Sequence, residues 1–447
     1  MDGHTPGVPA ESVTSGGAST ADGEGVGPPS AWWRRTRYPT FVASRTISIT
    51  GDMAALAAIT VHIYAVTGSG LAVGTFFLVR ALPRALAPFA GAIGDRAELR
   101  RLLVLCDVVC GVVFLAIAAV DPQYAVLLCL VFVAESAATI ALPAARTMIG
   151  RTLPADKLTA ANGLLLAITS LGFAGGSALG ALAAASWNYR WALIGNALSF
   201  AVSALFLSRL GRAEPEPQPD RNQSFLAETR AGLTAIRASP ALPPVIIGLV
   251  AVAFAASMDQ VALVVFVVRQ LHAPTVWYGL TLGAISVGVL AASLSAVRWR
   301  RVDQESDVFF RAGILAQAAG HLTMGVAPMA PALLVGGVTA GLGNGLETVC
   351  GTTLLQRAVD KKSLGTIMGV VLSWSFLANA VGSLIGGNVV DLIGPRWTFC
   401  AAAAIMAGSA ALALLGQTPR TVADDADNSA DGRSSPSSGA RDDKEQR

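Results

Sequence analysis

The sequence predicts an all-α membrane protein, with twelve transmembrane helices in two six-helix bundles that repeat in parallel. Three observations predict it. The 447-residue chain is 53% hydrophobic and 14% charged, with a mean hydropathy of +0.57, whereas a soluble chain carries about 25% charged residues. Apolar runs near the roughly 20 residues needed to cross a bilayer recur twelve times between polar loops. The chain also aligns with itself at an offset of 206. Arg151 matches Arg357, Leu158 matches Leu364, Gly163 matches Gly369, and Gly176-Ser177 matches Gly382-Ser383. Gly180 then matches Gly386, and Arg190-Trp191 matches Arg396-Trp397, all in one register. Such a repeat means two halves of like orientation with a site between them.

Taken in order, residues 1–38 are rich in Gly, Ser, Thr and Ala, lack a signal-peptide core, and read as a disordered tail. Trp32, Trp33, Arg34, Arg35 and Arg37 close that tail with an interfacial anchor. The N-terminal bundle, 39–210, holds spans at 39–66, 71–93, 102–120, 125–149, 159–186 and 190–210. A linker at 211–240 opens with Glu214-Pro215-Glu216-Pro217 and continues as an amphipathic helix carrying Phe225, Leu226, Leu233 and Ile236. The C-terminal bundle, 241–416, holds spans at 241–269, 276–297, 309–327, 331–356, 364–391 and 395–416. Residues 417–447 form a second disordered tail.

Arginine and lysine crowd into alternate loops, with Arg190, Arg269 and Arg396 at the opposite ends. Short loops that are translocated are depleted of these residues, so both termini are cytoplasmic. The net charge of +3 is dispersed and implies no nucleic-acid partner. Cys106, Cys110, Cys129, Cys350 and Cys400 lie in apolar runs without a CxxC pair, and are expected to be packing residues. No phosphate-binding loop, metalloprotease motif or acyltransferase motif occurs, so no enzyme activity, cofactor or metal site is expected.

Ionisable residues inside spans are costly and mark pathways. Asp52, Glu135, Asp259 and Glu347 are the candidates for proton coupling or for lining a substrate cavity. Asp259 lies one residue from the repeat partner of Asp52, which suggests paired positions in the two halves. Glu347 follows Gly341-x-Gly343-Asn344-Gly345, an easily deformed stretch. Arg146, three turns away, is the expected partner of Glu135. His321 reads as a hydrogen-bonded packing residue. Gly163, Gly172, Gly176 and Gly180 on the fifth span would let another helix approach closely, here one from the opposite half.

The loop Gly91-Ala92-Ile93-Gly94-Asp95-Arg96-Ala97-Glu98-Leu99-Arg100-Arg101 sits between the second and third spans. It resembles motif A of major facilitator superfamily transporters, with Gly91, Asp95, Arg96, Arg100 and Arg101 on the main positions and Glu98 and Leu99 departing from it. Arg45, Arg84, Asp107 and Arg146 lie near the same side and are expected to join Asp95 in a cytoplasmic gate. The glycines of the fifth span resemble the antiporter motif C, with Ser177 and Ala181 where Pro and Gly are usual. Gly51-Asp52, the loop 153–162 and Phe225–Pro240 are similar to the macrolide-efflux and enterobactin-exporter-like branch of drug:proton antiporters. The resemblance implies alternating access in the plasma membrane and proton-coupled efflux of an amphipathic drug, natural product or siderophore. It implies a monomer whose partners are protons, a small-molecule substrate and lipid. Uptake of a small metabolite, or a non-transporting sensor or scaffold, are the other readings.

Overall fold

The computed structural model describes residues 38–85, 98–152, 158–186, 188–209, 242–298, 302, 304–359 and 361–415. Twelve α-helices run through them: α1 Tyr38–Thr67, α2 Gly70–Ala85, α3 Leu99–Val120, α4 Tyr124–Thr152, α5 Leu158–Ser186 and α6 Tyr189–Ser208. The second set is α7 Leu242–Val265, α8 Val276–Arg298, α9 Ser306–Gly325, α10 Ala332–Ala358, α11 Lys361–Ile393 and α12 Pro395–Leu415. Nine of these described helices are long and apolar enough to cross a membrane. Serine and threonine in them satisfy their hydroxyls on the preceding turn, as Thr46 does on the Val42 carbonyl and Thr60 on that of Leu56, which an apolar surround requires. The two tails, the linker and Gly91, Asp95 and Arg96 lie outside the described residues.

Local chemistry ends the helices where the apolar runs end. Gly68 (φ 62°) stops α1, and Gly394 (φ 88°) separates α11 from α12. Asp121 closes α3 in the left-handed region, and Asn188 caps α6 by accepting from the Arg190 backbone N–H. At the end of α7 the coil widens into a π turn over Phe266–Gln270, which shifts the face the helix presents.

The packing repeats six helices on. In the first set α1 packs on α5 and α6, and α3 on α4 and α6. In the second, α7 packs on α11 and α12, and α9 on α10 and α12. The halves meet through α2 against α11 and α5 against α8, two contacts that exchange under the same relation.

That junction is dry at the end where α1 turns into α2. One continuous buried cluster there joins Ala55–Ile63 of α1 and Phe76 of α2 to Val261–Val267, Tyr278 and Phe399. A second cluster contains residues of α7 and later helices only. Backbones touch at the junction: a Cβ on Gly74 would strike the Ser383 carbonyl, and one on Gly279 the Ser177 carbonyl. The end bearing the α1–α2 turn is therefore closed.

Candidate functional site

The first half places its ionisable groups around a narrow cleft lined by Asp52, Leu56, Ile59, Phe76, Arg80, Phe114, Val131 and Glu135. Glu135 on α4 is buried and accepts from Arg80 Nε and from Arg84 Nη2, the latter at 2.9 Å. Both arginines come from one face of α2, four residues apart, so a single carboxylate takes one N–H from each, one on either oxygen. Asp52 on α1 is half-buried and accepts from Asn196 Nδ2 at 3.1 Å. Asn196 reaches it because Gly51, lacking a side chain, lets α6 come close with Ser199 and Asn196. The cleft has a volume of about 10 Å3, room for about one water.

Glu135 thus differs from expectation: its cations are Arg80 and Arg84. Arg84 is accordingly drawn to Glu135, and Arg146 lies on α4 with a side chain outside the described set. Arg45 and Asp107 do come together, 3.6 Å apart, and Asp107 also accepts from Ser203 Oγ at 2.6 Å. Arg100 and Arg101 flank Glu98, at 3.4 and 2.6 Å, so the residue that departs from the motif neutralises two that fit it.

In the second half Asp259 and Glu347 are both buried. Asp259 Oδ2 lies 3.2 Å from His321 Nε2 on α9, and Glu347 Oε2 accepts from Thr348 Oγ1 at 3.3 Å. Asn344 donates to Gln317 Oε1 at 3.4 Å. Asp52 and Asp259 are not equivalent. Gly176 and Gly180 seat on Thr50 and Ala54, whereas their repeat partners Gly382 and Gly386 seat on Phe254 and Met258. Helix α7 is therefore slipped by two residues against the repeat, and the counterpart of Asp52 is Ala256. The slip sends Asp52 toward α6 and Asp259 toward α9.

The glycine spacing on α5 works within one half. Gly172, Gly176 and Gly180 hold α1, and the contact with the opposite half uses Ala174, Ser177 and Ala181 against Gly279 and Gly283 of α8. Gly163 lies on the same helix, with its surroundings outside the described residues. The stretch Gly341–Gly345 is regular helix, its glycines spent on close approach to Ile285, Gln317 and Val289. Cys106, Cys110 and Cys350 are buried and Cys400 is half-buried, while Cys129 is exposed; all five are free thiols.

Two constellations escaped the sequence. Asp391, at the end of α11, accepts from Ser69 Oγ (2.9 Å), Gly70 N (2.7 Å) and Leu71 N (2.9 Å), capping α2 from the other half. Asp121 accepts from Tyr189 Oη and Arg190 Nη2, and these donors hold its carboxyl below the usual carboxylate range. Neither pairing leaves a spacing signal, because the partners are 322 and 69 residues apart.

Between the halves, Phe77, Arg80, Ala81 and Arg84 of α2 face Gln260 of α7 and Phe376 and Asn379 of α11 across a cavity of about 120 Å3. The Arg84 side chain is 42% exposed there, so part of its guanidinium is open to a ligand. Apolar and donor groups meet on this wall, at the junction of two repeated bundles, where secondary transporters place their substrates.

The sequence profile of the Major Facilitator Superfamily matches residues 41–304 and 306–440. The chain is 24% identical over 384 residues to the uncharacterised MFS-type transporter YfiS of Bacillus subtilis (strain 168), covering 83% of this chain and 91% of that protein. It is 28% identical over 200 residues to BacE of Bacillus amyloliquefaciens, named as a candidate bacilysin exporter, covering 43% and 49%. Among solved structures, a point mutant of the nucleoside transporter NupG superposes with a TM-score of 0.74 at 10% identity, over 85% of this chain and 100% of that one. With twelve helices among the described residues, arranged as two repeated bundles, the chain belongs to the Major Facilitator Superfamily and is a multi-pass secondary transporter.

Proposed function

We propose that this transporter exports a lipophilic small molecule across the plasma membrane in exchange for protons, cycling as a monomer between inward- and outward-open forms, with both termini cytoplasmic. In that orientation the closed end faces outside, and the cavity between α2, α7 and α11 serves the cytoplasm. One observation carries the reading: Asp52 lines the cleft with a single neutral hydrogen-bond partner, Asn196, while the neighbouring Glu135 is committed to two arginines. An acid with spare lone pairs beside a wettable cleft can bind and release a proton. Glu135 instead fixes Arg80 next to it. The exporter name carried by BacE agrees with the direction.

The test uses a toxic compound that loses potency when the chain is expressed in a pump-deficient host. Inside-out vesicles with an acidic lumen should accumulate it, and Asp52→Asn vesicles should bind it without accumulating it. Accumulation by Asp52→Asn at the wild-type rate would remove Asp52 from coupling.

Uptake of a small metabolite has one observation behind it. The polar wall of the larger cavity presents two guanidiniums and two carboxamides and no carboxylate, which suits an anionic group. Protonating Asp52 leaves that cluster more positive, so proton and anion would travel together. An acidic lumen would then empty the vesicles instead of filling them, which separates the two readings by sign.

A further inference from the structure

His321 and Asp259 form a pair that cannot exist without an extra proton. His321 Nδ1 lies 2.7 Å from the carbonyl oxygen of Gln317, one turn earlier on α9. A carbonyl only accepts, so Nδ1 carries a hydrogen. In a neutral ring Nε2 is then the lone-pair nitrogen, yet it faces Asp259 Oδ2 at 3.2 Å. An ionised carboxylate and a bare ring nitrogen would oppose two lone pairs in a buried site, where Asp259 is 3% and His321 6% exposed. One proton between them removes the conflict, either as a carboxylic acid donating to Nε2 or as an imidazolium donating to the carboxylate. The pair carries no net charge in either form.

The surroundings supply no substitute for that proton. Apart from the His321 Nε2 contact, neither oxygen of Asp259 meets a hydrogen-bond donor among the described residues. From α9 the facing group is His321. On the other neighbouring helices the charged groups have partners of their own: Glu347 of α10 takes the Thr348 hydroxyl, Arg80 and Arg84 of α2 are committed to Glu135, and on α1 Asp52 is held by Asn196 and Arg45 lies beside Asp107. Between Lys362 and Asp391 α11 has no ionisable residue. The one arginine of α12, Arg396, reaches the Ala327 carbonyl near the closed end.

Position makes the pair sensitive to movement. Helices α9 and α10 are locked backbone to backbone by Gly313, Gly320, Gly336 and Gly343, whereas α7 touches α9 at few points. The pair is a polar link across that sparse contact. It sits one residue from Gln260, which lines the cavity between the halves.

We propose that Asp259 and His321 form a proton-binding site of the C-terminal half, filled when α7 and α9 close and emptied when they part. On parting, the bond to the shared proton, Oδ2–H of the acid or Nε2–H of the imidazolium, breaks and the proton passes to water, leaving a carboxylate and a neutral imidazole. This deepens the proton-coupled reading by adding a carrier separate from Asp52.

The test needs no transported substrate. The chain has four histidines, so 15N-histidine labelling of the full protein in lipid nanodiscs gives a countable spectrum, and His321→Gln assigns the His321 signals. Asp259→Asn donates from its carboxamide to Nε2 and so keeps the bond without the extra proton. Wild type should bind one proton more than Asp259→Asn between about pH 5 and about pH 9, read with a pH dye in weakly buffered sample. Asp259→Ala, which removes the carboxyl altogether, should lose the same proton, which covers the case that Asp259→Asn does not fold. The Nε2 signal of His321 should change with pH in wild type, as the shared proton leaves, and stay constant in Asp259→Asn. Equal proton binding by wild type and the folded variants, or the same pH dependence of the Nε2 signal in wild type and Asp259→Asn, would overturn the proposal. Asp52→Asn titrated in parallel separates the two sites, because each reading predicts the loss of its own proton only.

Discussion

Replacing Asp391 by alanine should loosen the closed end of the transporter. Its carboxylate accepts from two backbone N–H groups at the start of α2 and from the Ser69 hydroxyl, at 2.7–2.9 Å, and it comes from the opposite half. A side-chain cap of a helix N-terminus contributes about 1 kcal/mol, and a carboxylate on the helix dipole adds about 0.3–1 kcal/mol. Asp391 is solvent-exposed, so screening keeps the sum near the lower end, about 1–2 kcal/mol. All of it is lost when the halves separate at this end, so Asp391→Ala should shift the closed-to-open ratio by about 5–30-fold toward open. The repeat counterpart at the α5 end is Ala185, which has no carboxylate to offer α8 in compensation. Spin labels at Val120 and Val326, both exposed and at this end of opposite halves, would report the change as a longer-distance population in double electron–electron resonance. Asp391→Asn keeps one acceptor and should fall between. A distance distribution identical to wild type in Asp391→Ala would refute the idea that this cap helps hold the end shut.

Two further predictions separate stability from gating and set a pH dependence. Gly180→Leu drives a side chain into the Ala54 backbone within the first half, and Gly279→Leu drives one into Ser177 across the halves. The first should lower the thermal midpoint through overpacking of about 1–3 kcal/mol or more, whereas the second should chiefly populate the form open at the α1–α2 end; equal effects of both on melting and on label distances would contradict the assignment. Asp121 is held below the usual carboxylate range by Tyr189 and Arg190, so its stabilising effect is complete above the ordinary carboxylate pKa and is lost as pH falls through the lowered one. Asp121→Asn, which tolerates the left-handed backbone there, should therefore lower the melting temperature at neutral pH and flatten its fall in acid.

The sequence by itself determined the helices. Hydrocarbon demands about 20 apolar residues per crossing with every backbone group bonded internally, so the ends of the described helices lie within about three residues of the apolar runs at nearly every boundary. The repeat was legible because Gly176, Gly180, Gly382 and Gly386 each perform the same close approach in both halves.

Tertiary structure alone decided which polar groups meet. Glu135 could be placed at mid-span from sequence, but its arginines lie on a different helix, at a rotation that hydropathy does not encode. Asp259 showed the limit most plainly. Each residue turns a helix by about 100°, and Asp259 stands three residues beyond Ala256, the packing counterpart of Asp52, so it meets His321 instead of a copy of Asp52's partner. Asp391 is the last residue of the run 364–391 in the sequence, and becomes a cap only when α2 and α11 come side by side. Apolar periodicity fixes where a helix lies in the bilayer, because burial depends on composition. Rotation and partner depend on contacts between residues hundreds of positions apart, and those exist only once the bundles are packed.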